Sequence, residues 1–482
     1  MRTVALRVIQ AGAIAIVLVA STLTVFDLDR FLVPKELVLH VTACVAALLA
    51  FGAIRLIPFT RADWLLGIYL LLSAISAATA TNPWLGFRAF AVSASAVLLF
   101  WTARALGESP LIGTLALAVV ISSATSLLEA YGLRTPLFAL TRVPGGTLGN
   151  RNFIAHVAAI GLPLLFFIAI RAQRRSAFVM SSLGAAIVAA SLVLTRSRGA
   201  WLAAVVMLVV FAIFAHAWTR LAGAVAFAIV GAVAALALPN TLHWRGENPY
   251  LESVRGVANY EEGSGRGRLL QYGRSMVMSA AHPILGAGPG NWPVVYPHFA
   301  ARNDPSVDPD NMTFNPWPSS DWAAFISERG LAATVVLFLA LISIAFSSKN
   351  PAVMAIVAAA IVAGLFDAVL LLPVPAFIVF TAIGALTGGQ AILPVRPGKI
   401  AWLPLILILI SALATVRSGA QLLAMSIADH PERAAVIDPG NYRIQMRLAS
   451  KCDHARAAHA LFPYADAARA AARRCGERAT TR

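Results

Sequence analysis

Residues 176–219 read SAFVMSSLGAAIVAASLVLTRSRGAWLAAVVMLVVFAIFAHAWT, two apolar runs split only by Thr195-Arg-Ser-Arg-Gly199. Each run approaches the roughly 20 apolar residues that an α-helix needs to cross a bilayer. A connection this short suits a turn between neighbouring crossings, and inside hydrocarbon a segment must satisfy its own backbone polar groups, which a helix does. The stretch therefore decides the fold class: all-α, a polytopic membrane helix bundle. Outward from it, similar runs bounded by charge or by Pro and Gly fall near 4–26, 37–54, 63–80, 88–106, 110–132, 152–170, 221–238, 322–346, 352–372, 374–394 and 400–417. Together they predict about thirteen crossings.

Composition agrees. The chain has 482 residues, 59% of them hydrophobic and only 12% charged, whereas a soluble domain carries about 25% charged residues. A water-soluble enzyme is excluded. The net charge is +16, and four of the 38 basic residues are lysine, namely Lys35, Lys349, Lys399 and Lys451; the rest are arginine. No soluble basic domain accompanies that excess, so nucleic-acid binding is not indicated. The first 26 residues have a signal-like basic start and apolar run, but further spans follow at once and the segment reads as an uncleaved first crossing.

With a cytoplasmic N-terminus, the inner connections hold Arg2, Arg7, Arg55, Arg61, Arg104, Arg171, Arg174, Arg175, Arg220, Lys349, Arg396 and Lys399. The short outer ones hold fewer basic residues: Arg30, Lys35, Arg88, Arg134, Arg142, Arg151, Arg196 and Arg198. That bias favours the N-terminus inside. An odd number of crossings then puts the tail outside. The expectation is a multi-pass bacterial inner-membrane protein with a large periplasmic loop, 239–321, and a periplasmic tail, 418–482.

The loop is rich in Pro, Gly, Asn and Trp, with a short helix predicted from Arg268 to about Ala280, ending at His282-Pro283. In the tail, Asp438-Pro-Gly-Asn441 separates two helical stretches resembling a tetratricopeptide-like hairpin, one unit being too few for a solenoid. Cys452 and Cys475 both lie there. An oxidising compartment and antiparallel helices predict a disulfide between them. Cys44 sits in an apolar run, and no cysteine spacing suits a metal.

Chemistry begins with Arg196 and Arg198, two guanidinium groups where positive charge is disfavoured. Their planar donor forks suit phosphate oxygens, and a lipid-linked phosphate or pyrophosphate would compensate their cost; interfacial snorkelling is the other account. Gly286-Ala-Gly-Pro-Gly-Asn291 lacks the βαβ context of a dinucleotide site and reads as tight turns, whose amides could hold a phosphate. Glu328 and Asp367 fall in apolar spans, where helix-to-helix pairing, Glu328 with Arg329 or another arginine, is the favoured reading. His282 and His298 read as solvent-facing or structural.

Four motifs recur in order: Gly149-Asn-Arg-Asn-Phe153 followed by Leu162-Pro-Leu164; Leu194-Thr-Arg-Ser-Arg-Gly-Ala-Trp201; Arg268-Leu-Leu-Gln-Tyr272 before Pro283-Ile-Leu-Gly-Ala-Gly-Pro-Gly-Asn291; and Glu328-Arg-Gly330. In this order they resemble the O-antigen ligase/polymerase superfamily, over about residues 140–385. The resemblance implies a membrane glycosyltransferase that takes a glycan from undecaprenyl pyrophosphate and passes it to a lipid or glycan acceptor hydroxyl, with no metal and no nucleotide sugar. It divides the chain into N-terminal helices 1–139, a catalytic region 140–385, last membrane helices 386–417 and the tail.

Carried onto this sequence, the pyrophosphate-binding arginines are Arg196 or Arg198 and Arg268, with Arg266 as an alternative. The other substrate-contacting candidates are Asn150, Asn152, Gly288, Gly290, Asn291, Ser319, Ser320, His298 and Glu328. One departure stands out. Family members commonly carry His-Asn-Asp at the end of the large loop, and here Ser319 and Ser320 precede Asp321. Asp321 becomes the candidate base. Two other classes remain open: a lipid-linked glycan flippase, for which no internal repeat speaks, and an inactive scaffold whose tail recruits envelope partners. Ligase and polymerase share the donor chemistry and are not separated by these residues.

Overall fold

A computed structural model describes residues 1–26, 28–107, 109–139, 141–246, 248–256, 263–388 and 402–480. Among them the chain is helical, with a single isolated bridge, Val307 to Thr313, as its only extended pairing. The helices are α1 Arg2–Leu18, α2 Asp29–Ile54, α3 Arg61–Ala78, α4 Pro83–Leu106, α5 Ser109–Ala130, α6 Arg151–Arg171, α7 Arg175–Leu194, α8 Arg198–Phe214, α9 Trp218–Ala237 and α10 Pro249–Arg255. They continue with α11 Gly263–Ala281, α12 Trp292–Phe299, α13 Asp321–Ser348, α14 Pro351–Phe366, α15 Pro373–Thr387, α16 Trp402–Ser426, α17 Pro431–Ile437, α18 Tyr442–Arg447, α19 Cys452–Leu461 and α20 Asp466–Thr480.

Each predicted apolar run overlaps a helix, the first ending at Leu18 and residues 389–394 and 400–401 of the last two lying outside the described residues, but among the described residues nine helices are long and apolar enough to cross a membrane: α2 to α7, α9, α13 and α16. α8, α14 and α15 are apolar and shorter. The chain is thus a multi-pass membrane protein, with fewer full-length spans than the sequence predicts. Arg396 and Lys399, counted in the charge bias, lie outside the described residues.

Local chemistry sets the shortened ends. The run expected to continue to 372 stops at Phe366, because the Asp367 carboxylate accepts the following Ala368 N–H at 2.9 Å and the Asn152 amide at 2.8 Å. α6 begins where Asn150 caps it, its side chain accepting the Asn152 N–H at 3.0 Å. α13 is broken at Gly330, whose φ of 81° brings a would-be Cβ within 2.0 Å of the Ile284 carbonyl.

Contacts divide the chain into two compact units: residues 1–64, 92–258 and 339–413, and residues 65–91, 259–338 and 414–482. The large loop is shared between them, 239–258 going with the first unit and 259–321 with the second. Small residues let helices of the first unit close in, as membrane helices do: Gly231 lies against the Ala186 backbone on α7 and Gly384 against that of Phe100 on α4. Its buried Asp63 is paired, meeting Arg104 at 2.9 Å and the Trp101 indole at 2.8 Å.

The second unit joins the rest of the loop to the tail. Asn82 exchanges bonds with Asn291, its N–H reaching the side-chain oxygen at 2.6 Å. Tail and loop meet through Asp466 N–H to Asp310 oxygen at 2.9 Å and the Asn311 amide to Tyr464 oxygen at 2.9 Å. Met312 packs with Ala458, Ala465 and Phe462. Cys452 and Cys475 are disulfide-bonded, Cα atoms 5.4 Å apart, linking α19 to α20 as predicted.

Candidate functional site

In the first unit, the end bearing Thr195–Gly199 gathers positive charge. Arg196 has a left-handed backbone, φ 54°, which a non-glycine residue rarely adopts and which clusters at functional sites. Its Nε donates to Ser253 on α10 at 2.9 Å, and its guanidinium lies 4.9 Å from the Trp244 ring centre. Arg151, the first residue of α6, lies 4.8 Å from the same ring. Arg142 is electrostatically coupled to Arg151 and gives its carbonyl to the Arg151 N–H at 2.9 Å. Arg198 donates to the Gly256 carbonyl. Trp244 in turn donates to the Tyr250 hydroxyl at 3.2 Å; burial raises that hydroxyl above its ordinary pKa, while the Trp244 bond and the Arg196 charge pull it down.

Of the sequence candidates, this end therefore contains Arg196, Arg198, Asn150 and Asn152. Arg151 and Trp244 were not singled out. Arg151 stands inside the Gly149–Phe153 motif and was readable; Trp244 lies 48 residues from Arg196, and no periodicity connects them.

In the second unit the Arg268 motif lies on α11, which extends further toward the N-terminus than the sequence predicts. Arg268 is half-buried and, among the described residues, forms no ion pair. Arg266 is exposed. One turn on, the buried Gln271 accepts the Ser319 N–H at 2.6 Å and donates to Ser306 at 3.2 Å, while the Tyr272 hydroxyl donates to the Ser319 carbonyl at 2.5 Å. Residues three and four apart share a helix face. The face carrying Arg268 thus grips both backbone polar groups of Ser319, the start of the Ser-Ser-Asp segment. Gln271 and Tyr272 stood in the quoted motif without an assigned role.

Ser320 caps α13, its hydroxyl accepting the Ala323 N–H at 3.3 Å. Asp321 follows as the first residue of α13, completely buried. His298 lies in the last turn of α12 and stacks on Tyr464 of the tail, ring centres 4.9 Å apart.

The glycine turn is occupied by its own protein. Gly286, Gly288 and Gly290 all have positive φ, and a Cβ on Gly286 would meet the Glu328 backbone at 2.2 Å. The Glu328 carboxylate accepts the N–H groups of Gly290 at 2.8 Å and Trp292 at 3.2 Å, and the Glu328 carbonyl accepts that of Gly288 at 2.8 Å. A phosphate on these amides is replaced by a carboxylate from α13. Glu328 is held through backbone amides rather than the expected arginine. Its neighbour Arg329 donates to the Tyr69 hydroxyl and to the Ala89 carbonyl at 3.3 Å, stacking over Phe325 at 5.0 Å.

No group of His, Cys, Asp or Glu among the described residues is arranged to hold a metal. No curated protein matches the chain. Residues 183–338 match the family described as O-antigen ligase; they run from α7 through Arg196 and Arg198 to Arg268, the glycine turn and Asp321, and over this stretch the chain is similar to that family.

Proposed function

We propose that the protein transfers a glycan from a polyprenyl-pyrophosphate donor to an acceptor hydroxyl on the periplasmic face, as a ligase or polymerase. The bond between the sugar's anomeric carbon and phosphate oxygen breaks, the electron pair leaves with the pyrophosphate, and the acceptor oxygen bonds to that carbon as its proton is lost. Arg268 stabilises the charge that grows on the leaving group. Asp321 takes the proton. The supporting observation is the α11 face: the half-buried guanidinium of Arg268 stands one turn from the two side chains that fix Ser319, so donor-side charge and acceptor-side segment share one support.

No metal and no nucleotide sugar enter, because the lipid pyrophosphate is already an activated leaving group. Purified protein supplied with a lipid-pyrophosphate glycan and candidate lipid or glycan acceptors tests the reading. Product with a new glycosidic bond and released polyprenyl pyrophosphate is expected. Movement of the intact donor across a vesicle wall without bond formation would instead establish the flippase reading.

A further inference from the structure

A second cationic site lies in the first unit, where the α6–α7 connection meets the start of α9. A cavity of about 440 Å³ is lined there by Gln173, Arg174, Arg175, Phe178, Val179 and Arg220, with no carboxylate among its described lining residues. The sequence has neither Asp nor Glu between Glu129 and Glu247, so this stretch offers its arginines no counter-charge. Arg220 is anchored: its Nη1 donates to the Ile170 and Ala172 carbonyls at 3.2 and 2.7 Å. Those bonds use one nitrogen of a group that carries five N–H donors. Arg174 and Arg175 are exposed.

Around this polar mouth the surface is apolar. Met180 is 68% exposed and Trp218 58% exposed, while Phe178 lies against Gly223, where a Cβ would come within 3.0 Å of its ring. Arginines at a rim, apolar side chains beside them and a tryptophan at the end of a spanning helix form the pattern of a membrane–water interface. A guanidinium fork matches phosphate oxygens, and basic pockets between membrane helices hold anionic headgroups.

We propose that this cavity binds the phosphate headgroup of an anionic phospholipid, its acyl chains lying along Phe178, Val179 and Met180. The full-length protein, purified in neutral detergent and titrated with phosphatidylglycerol or phosphatidylcholine, is read by native mass spectrometry for retained lipid. Transfer activity plays no part in the readout. Phosphatidylglycerol is expected to be retained in preference to phosphatidylcholine. At about tenfold in affinity for every 1.4 kcal/mol and roughly 1 kcal/mol for each basic residue near anionic lipid, Arg174→Gln with Arg175→Gln weakens retention about thirty-fold.

The control removes the same charge elsewhere, with Arg55→Gln and Arg61→Gln, both exposed positions, and leaves retention unchanged. Equal losses in the two double variants would mean diffuse attraction and overturn the site, as would no loss in the first. Displacement of the lipid by millimolar inorganic phosphate, but not by equal ionic strength of chloride, would assign the cavity to a free anion and equally overturn the lipid proposal.

Discussion

At the scale of single residues, the arginines separate by how they are held. Arg196 and Arg198 are tied to Ser253 and the Gly256 carbonyl, whereas Arg268 is half-buried on a helix face organised for another purpose, gripping Ser319. Arg268→Ala is expected to cost about 10² to 10³ in transfer rate in folded protein, the loss of one preorganised group on developing charge. Arg268→Lys recovers little, since an ammonium lacks the bidentate fork; near-parental transfer by the alanine variant would remove Arg268 from the reaction. Asp321 poses a sharper question because it is wholly buried and Ser320 already provides the cap. If it takes the acceptor proton, Asp321→Asn lowers transfer by at least about 10², while donor binding and melting temperature hold. A parental rate would leave Ser319, Ser320 and Asp321 as a structural segment. His298 and Glu328 are poor substitutes for the role, the first stacked on Tyr464 and the second accepting two amides.

Elements show what a sequence discloses. Apolar runs bounded by charge located the helices, because bilayer thickness and backbone satisfaction constrain both length and polarity. The Cys452–Cys475 bond was also legible, from two cysteines in one polar tail. Contacts across long separations were not: Asn82 with Asn291, Ser76 with the Leu285 carbonyl at 2.5 Å, Gln271 with Ser319 and Trp244 with two arginines obey no period. The glycine turn was recognised as a turn, yet its partner, a carboxylate from α13, could not be read from local spacing. Gly286→Ala tests that partnership, since its methyl would meet the Glu328 backbone and its φ of 66° disfavours a side chain. A loss of roughly 2–4 kcal/mol is expected, seen as a lower melting temperature in detergent; a parental melting point would mean that the turn can relax away from α13. For the tail, Cys452→Ser with Cys475→Ser removes a cross-link over a sequence separation of 23. Chain entropy puts the expected destabilisation of the hairpin at about 3 kcal/mol, and proteolysis within α19 and α20 should accelerate. Unchanged cleavage would show that the alanine-rich packing of the two helices suffices.

For the whole molecule, the sidedness proposed for loop and tail rests on arguments that do not depend on one another. The excess of basic residues on alternate connections favours the N-terminus inside, by the positive-inside bias. The tail donates from Asp466 to the Asp310 carbonyl and receives the Asn311 amide on the Tyr464 carbonyl, so it lies on the same side of the membrane as loop residues 304–315. Parity agrees: among the described residues α13, α14, α15 and α16 separate the loop from the tail, and if α13 and α16 span while α14 and α15 both span or both turn back, the number of crossings between the two is even. A disulfide within the tail fits an oxidising compartment. Reporter fusions after Arg175, near residue 300 and after Ala470 are therefore expected to read inside, outside and outside. Opposite signals from the last two would contradict the hydrogen bonds joining loop and tail. A cytoplasmic reading from both would preserve those bonds but put Arg268 and Ser319 away from a periplasmic donor, and the proposed transfer reaction would fall with that side assignment.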